Sequence, residues 1–263
     1  MAQSIILTLD AGTTGVKCAA FDRAGEAQFS CVEAYPTYFP RAGWAQQKPQ
    51  EQLDAVLRAI RQTLTHVHAA DVAALVFTGT MNGCIPIDRT GNALHDNIIH
   101  SDVRTAPQVA ELEKRIPLAD YYRRTGNRID VHSGLPKYMW LKAEEPDLYR
   151  DAAWFVNIKD YLYGRFTGRV GGTDRSDASL CNCIDILGGD WAWDVLKEAG
   201  VESVVISDLP PEPTYTQVQK LVDEFKASGA DFIVAVGGGS AMDAAKLASL
   251  LATESYTVKD LLD

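Results

Sequence analysis

No stretch of this 263-residue chain approaches the roughly 18 consecutive apolar residues that a membrane-spanning helix needs. The N-terminus has no basic region ahead of an apolar core, so no secretory signal is expected and the chain reads as cytoplasmic. Positive charge is in deficit: 25 Lys and Arg face 35 Asp and Glu, a net charge of −10, which argues against a nucleic-acid surface. Cysteine is sparse and odd in number: the five (Cys18, Cys31, Cys84, Cys181 and Cys183) form no disulfide framework. Cys181 and Cys183 lack a second pair and a nearby His, so they read as buried small residues on a strand, and no metal site is assigned. No internal repeat or low-complexity segment appears.

What remains is an ordinary globular composition, 46% hydrophobic and 23% charged, long enough for one large domain or two smaller ones. Strand and helix patterns alternate, giving an α/β reading. Apolar β-rich runs at 5–9 and 16–21 flank Asp10-Ala11-Gly12-Thr13-Thr14, and 26–35 reads as a third strand. Leu53, Val56, Leu57, Ile60 and Leu64 set a helical period over 49–68. Strands are expected at 72–78, 84–87 and 154–158, and helices near 105–115, 136–143 and from Lys159 onward. Residues 173–179 read as a polar loop. Beyond residue 200, strands at 203–206 and 232–236 and helices at 215–228 and 242–251 make a small βαβα unit.

Two glycine turns carry chemistry. Gly12 lets backbone approach an anionic oxygen, Thr13 and Thr14 offer hydroxyl and amide donors, and Asp10 at a strand end suits a magnesium-bound water, with Lys17 following on the return strand. An ordinary Gly-Thr hairpin turn is the plain alternative. Gly237-Gly238-Gly239-Ser240, with Asp243 one helical turn on, would bring amides to a pyrophosphate at a helix start; a tight strand-to-helix turn without ligand is the alternative there. Met81 and Asn82 follow a strand end, and Asp102 and Arg104 form a polar pair suited to sugar hydroxyls. Trp44 and His100 are candidates for the same pocket, ordinary packing being the alternative for each.

The order of blocks in residues 1–198 resembles the FGGY carbohydrate kinase family, nearest its xylulokinases. Leu9–Thr14 is similar to the family's first phosphate motif. Thr78-Gly79-Thr80-Met81-Asn82-Gly83 is similar to its sugar-binding turn, where xylulokinases carry Met-His. Ser101–Thr105, Lys159–Leu162 and Thr173–Ser179 resemble three further blocks. The resemblance implies an actin-like, ribonuclease-H-type domain, with ATP and Mg²⁺ as cofactors and a sugar or polyol as substrate. Asn82 in place of His leaves the sugar open: another pentulose, a tetrulose or a polyol. The family's catalytic base, an Asp in a Gly-rich segment, has no counterpart after Trp193, so no base is assigned and turnover is not expected. Residues 199–263 instead resemble part of the dinucleotide-binding domain of iron-containing (group III) alcohol dehydrogenases. Pro211–Thr214 and Gly237–Lys246 carry that likeness, which implies at most vestigial NAD(P) binding. Such a joined fragment leaves apolar faces that a homodimer would cover. If the first turn holds phosphate, Gly12→Val abolishes ATP binding in calorimetry while the far-ultraviolet circular dichroism stays as in wild type; unchanged affinity removes the turn from the site.

Overall fold

The structure, a computed structural model, describes residues 4–200, 213–228, 244–245, 247–248, 251 and 257–259. Two compact units emerge, Met1–Ala199 and Gly200–Asp263. In the first, β1 (Ile5–Ala11), β2 (Gly15–Phe21) and β3 (Ala27–Ala34) form an antiparallel meander. Then follow β4 (Gln46–Gln47), α1 (Pro49–Thr63) and β5 (Val72–Gly79). β5 lies parallel to β1, closing a sheet of order β3-β2-β1-β5. Next come β6 (Ile85–Ile87), β7 (Asn97–Ile98), α2 (Ala106–Arg115), α3 (Leu118–Thr125), α4 (Gly134–Glu144) and α5 (Pro146–Asp151). β8 (Trp154–Val156), α6 (Ile158–Thr167), α7 (Arg175–Leu180), β9 (Ile184–Asp185), β10 (Asp190–Trp191) and α8 (Trp193–Glu198) complete the unit.

The period-2 pattern of β1 sends Leu7, Leu9 and Ala11 into the core and leaves Ile6 and Asp10 exposed. α1 starts on a proline at its first position, where the missing N–H costs nothing. Its Leu53, Val56 and Ala59 pack with Leu9, Val16 and Cys18 of the sheet and Ile158 and Leu162 of α6. Burial of a side chain of the size of Leu53 or Val56 contributes about 1.5–3 kcal/mol.

Several expectations need correction. α1 ends at Thr63, not His68, because the Thr65 hydroxyl donates to the Gln62 carbonyl at 2.7 Å and competes with the helical ladder. Residues 175–180, read as loop, are helix: the Asp174 carboxylate caps it by accepting from the Ser176 and Asp177 amides at 2.8 and 3.1 Å. Cys181 and Cys183 are buried but not on a strand, since Asn182 between them takes a left-handed φ of 62°.

In the second unit, the described α9 (Tyr215–Ser228) matches the expected helix and buries Val218, Leu221, Val222 and Phe225. Val218, Leu221 and Val222 pack with Ala244, Ala248, Leu251 and Val258. The expected strands at 203–206 and 232–236, and the turn Gly237, Gly238, Gly239, Ser240 with Asp243, lie outside the described residues. No helix among the described residues is long and apolar enough to cross a membrane.

Gly15 opens β2 where that strand meets β3: a Cβ there would stand 2.6 Å from the Glu33 carbonyl and 3.1 Å from the Ala34 Cα. Both neighbours are backbone, so neither can rotate away. Gly15→Ala is expected to cost about 1–3 kcal/mol, read as a lower urea midpoint at unchanged slope. A midpoint equal to wild type contradicts the close approach.

Candidate sugar and phosphate site

The β1–β2 hairpin delivers the first turn. Asp10 pairs with Lys17 across the hairpin and with Thr78 on β5, and Asp10, Thr13, Thr14 and Lys17 are all exposed. The three carbonyls of the turn are held from one side. The Tyr35 hydroxyl donates to the Gly12 carbonyl, the Gln47 side-chain amide to Thr13 at 2.8 Å and the Tyr35 backbone amide to Thr14 at 3.3 Å. Negative carbonyl dipoles are thereby engaged within the protein, while the threonine hydroxyls stay at the surface, an arrangement suited to an anion. Burial pushes the Tyr35 phenol up to about 12, with the Asp10 charge adding to it, so Tyr35 remains a hydrogen-bond donor at any working pH.

The second turn follows β5. Thr80 donates its amide to the Ala11 carbonyl at 2.9 Å, which ties this turn to the end of β1. Asn82 takes a left-handed φ of 61°, tolerated by Asn better than by most residues. Met81 is half-buried beside it. Two buried amides link the two turns: Gln52 donates to Gln47 at 2.9 Å, and Asn97 donates to Gln52 at 3.3 Å while accepting from the Cys84 amide at 3.2 Å.

Asp102 and Arg104 are brought together as expected, with roles the residue types alone did not separate. Both are buried. Asp102 Oδ2 accepts from the Ala45 amide at 2.6 Å and from Arg104 Nη2 at 2.7 Å, and Oδ1 accepts from the Arg104 amide at 2.9 Å. Every lone-pair direction of that carboxylate is engaged, so it fixes Arg104 and has no free oxygen for a ligand. The guanidinium lies 3.7 Å from the Trp44 ring centroid and 4.8 Å from that of Trp140, and Nη2 donates to Gln46 at 2.9 Å. Its Nη1 is buried without a partner, and so is Oδ1 of Asn82. One orphan donor and one orphan acceptor are what a polyol hydroxyl would satisfy.

Lys137 on α4 escaped the sequence reading, which placed a helix near 136–143 and assigned no role to it. It is fully buried; Nζ donates to the Asn82 carbonyl and to the His132 carbonyl at 3.1 Å. Burial pulls it down to about 8, against the pull of Cys84 and Asp102. His100, half-buried, is also shifted down, first by burial and then by Lys137, and its carbonyl accepts from the His132 ring. Trp44 does line this region, through its contact with Arg104.

A second feature without an assigned role is Lys159, whose Nζ lies 2.9 Å from Asp160, 2.5 Å from Asp174 and 3.0 Å from Asp177. It joins the start of α6 to the cap of α7. Burial opposes its charge, but the hydrogen bonds it donates to Asp174 and Asp160 outweigh that and raise its pKa. Among the described residues no His, Cys, Asp and Glu cluster has metal-binding geometry.

The α/β domain thus sets the Asp10–Thr14 hairpin turn beside the turn that follows β5. The profile of the FGGY family of carbohydrate kinases, N-terminal domain, matches residues 5–247, and the chain belongs to this family. It is 28% identical over 204 residues to a xylulose kinase of Staphylococcus xylosus, covering 78% of this chain and 42% of that protein. It is 27% identical to a glycerol kinase of Thermococcus kodakarensis, covering 97% of this chain and 53% of that protein. The fold matches the crystal structure of xylulose kinase from Rhodospirillum rubrum with a TM-score of 0.72, at 23% identity, over 80% of this chain and 43% of that one. The chain thus spans about half or less of the length of these relatives. The family match runs past residue 198 and takes in Gly237–Ser240 and Asp243, which lends the dehydrogenase likeness no support.

Because the Lys137 folded-state pKa lies below the ordinary 10.5, the unfolded chain binds its proton more tightly between about pH 8 and 10.5. Stability carried by this group therefore rises with pH across that window, by about 3 kcal/mol at most. The difference in urea stability between wild type and Lys137→Met should grow in favour of wild type from pH 8 to 10.5; a flat difference contradicts the shift.

Proposed function

We propose that residues 1–198 are the sugar-holding half of an ATP-dependent sugar kinase, and that 199–263 form a separate unit that does not complete it. The observation that carries the reading is the unpartnered Arg104 Nη1, buried on its two tryptophans and fixed by Asp102. In this reading Met81, Asn82 and Arg104 grip the sugar, and Asp102 orients Arg104. Gly12, Thr13 and Thr14 would hold the phosphate of ATP. Asp10 would hold a Mg²⁺-bound water, its exposed carboxylate beside Lys17 at the mouth of the turn fitting that task. Bound ATP and Mg²⁺ would supply the transferable phosphoryl group and its charge neutralisation. Asn82 can donate and accept but carries no titrating proton, so the substrate is a pentulose, a tetrulose or a polyol without demand for a charged group at that position. The reading assigns no general base, so what it proposes for these residues is binding.

A subsidiary reading rests on the Gly237–Ser240 and Asp243 pattern and on the division into units at residue 199/200: a remnant that binds NAD(P) weakly.

Titration calorimetry with a pentulose, a tetrulose, glycerol, ATP and NAD separates these. The expected result is binding of a ketose or polyol, weakened at least about tenfold by Arg104→Ala, since a hydrogen bond to a charged group is worth about 1.5–3 kcal/mol. NAD binding alone would support the subsidiary reading. ATP consumption that depends on a ketose and disappears in Asp10→Ala would overturn the inactive half-kinase.

A further inference from the structure

Cys18 and Cys31 are register partners across the antiparallel β2–β3 pair. Directly opposed residues in such a pair leave the same sheet face, and here that face meets α1: Thr63 Oγ1 lies 3.2 Å from Cys18 Sγ and 3.6 Å from Cys31 Sγ. Two sulfurs thus flank one hydroxyl. Opposed Cα atoms in an antiparallel ladder sit about 4.5–5.5 Å apart, inside the span of about 4.4–6.8 Å that a disulfide bridges. Cys31 is half-exposed, whereas Cys18, Cys84, Cys181 and Cys183 are buried.

We propose that Cys18 and Cys31 form a reversible disulfide when the protein meets hydrogen peroxide, making the β2–β3 pair a redox-modified site. The half-exposed thiol reacts first. Cys31 sulfur takes one peroxide oxygen to become a sulfenic acid, and the other oxygen leaves as water. Cys18 sulfur then attacks Cys31 sulfur; the S–S bond forms, the S–O bond breaks, and hydroxide leaves with the Cys18 proton as a second water. Both sulfurs are oxidised and the peroxide is reduced, so no further reactant is needed. Burial pushes the Cys18 thiol up and keeps it mostly protonated, which disfavours its direct reaction with peroxide; its attack on Cys31 depends on the two sulfurs being held side by side. Oxidation removes the hydrogen bond that the Cys31 thiol donates to the Ala59 carbonyl at 3.4 Å, a carbonyl that also accepts from the Thr63 hydroxyl at 2.9 Å.

Trypsin cleaves after Lys17, Arg23 and Arg41, so the bond would join peptide 18–23 to peptide 24–41. The full chain is treated with hydrogen peroxide, alkylated and digested without reductant for mass spectrometry. The expected dominant species is that linked pair, two hydrogens lighter than the free peptides together, lost on adding a dithiol and absent from Cys31→Ser. The thermal midpoint of the oxidised wild type should rise by several degrees, with no rise in Cys31→Ser or in Cys18→Ala. Sulfinic acid at Cys31 without a linked pair would overturn the proposal. So would linked peptides dominated by Cys84, Cys181 or Cys183.

Discussion

The Thr13 carbonyl and the Cys84 amide belong to different turns, far apart in sequence, and side-chain amides hold them in one frame. Gln47 reaches the first turn, Asn97 reaches the second, and Gln52 joins them, all three being almost wholly excluded from solvent. A buried hydrogen bond contributes about 1 kcal/mol net, but stripping one link leaves partners unsatisfied at about 1–3 kcal/mol each. The asymmetry favours keeping the relay intact, and Gln47 is further held by donating to the Thr37 hydroxyl at 2.9 Å. β1 supplies the second constraint, since Ala11 accepts from Thr80 at the point where β1 and β5 end together. The two turns are therefore parts of one edge.

Beside that edge the Arg104 guanidinium keeps one buried donor without a partner. Asp102 has its oxygens filled by Ala45 and Arg104, and two tryptophans flank the guanidinium, so only Nη1 is left without a partner. Lys137 donates to the carbonyl of Asn82, the residue that takes the left-handed conformation. Lys159 does a similar job farther along, drawing three carboxylates together between α6 and α7.

Much of this was legible in the residues. The β1–β2 hairpin, the Met81-Asn82 turn after β5 and α9 all follow from apolar period and turn chemistry. Asp102 and Arg104 were readable as a pair, but not as holder and held, because hydrogen-bond saturation is a property of packing. Lys137 was invisible because its neighbours on α4 fit a core pattern, and a lysine at such a position reads as solvated. Helix α7 was missed because its polar composition hid a cap, Asp174, whose effect depends on two backbone amides being within reach. Gly12 drew attention for close approach to an anionic oxygen, yet Gly15 is where strand contact leaves no room for a Cβ.

Amide hydrogen exchange in Gln52→Leu tests most directly whether the two turns form one unit. Leucine removes both relay bonds of Gln52 while keeping a buried side chain of similar size on α1. The account predicts faster exchange at residues 12–15 and at 80–84 together, with the β1–β2 ladder as protected as in wild type. Acceleration at one turn with the other unchanged would show that the relay does not couple them.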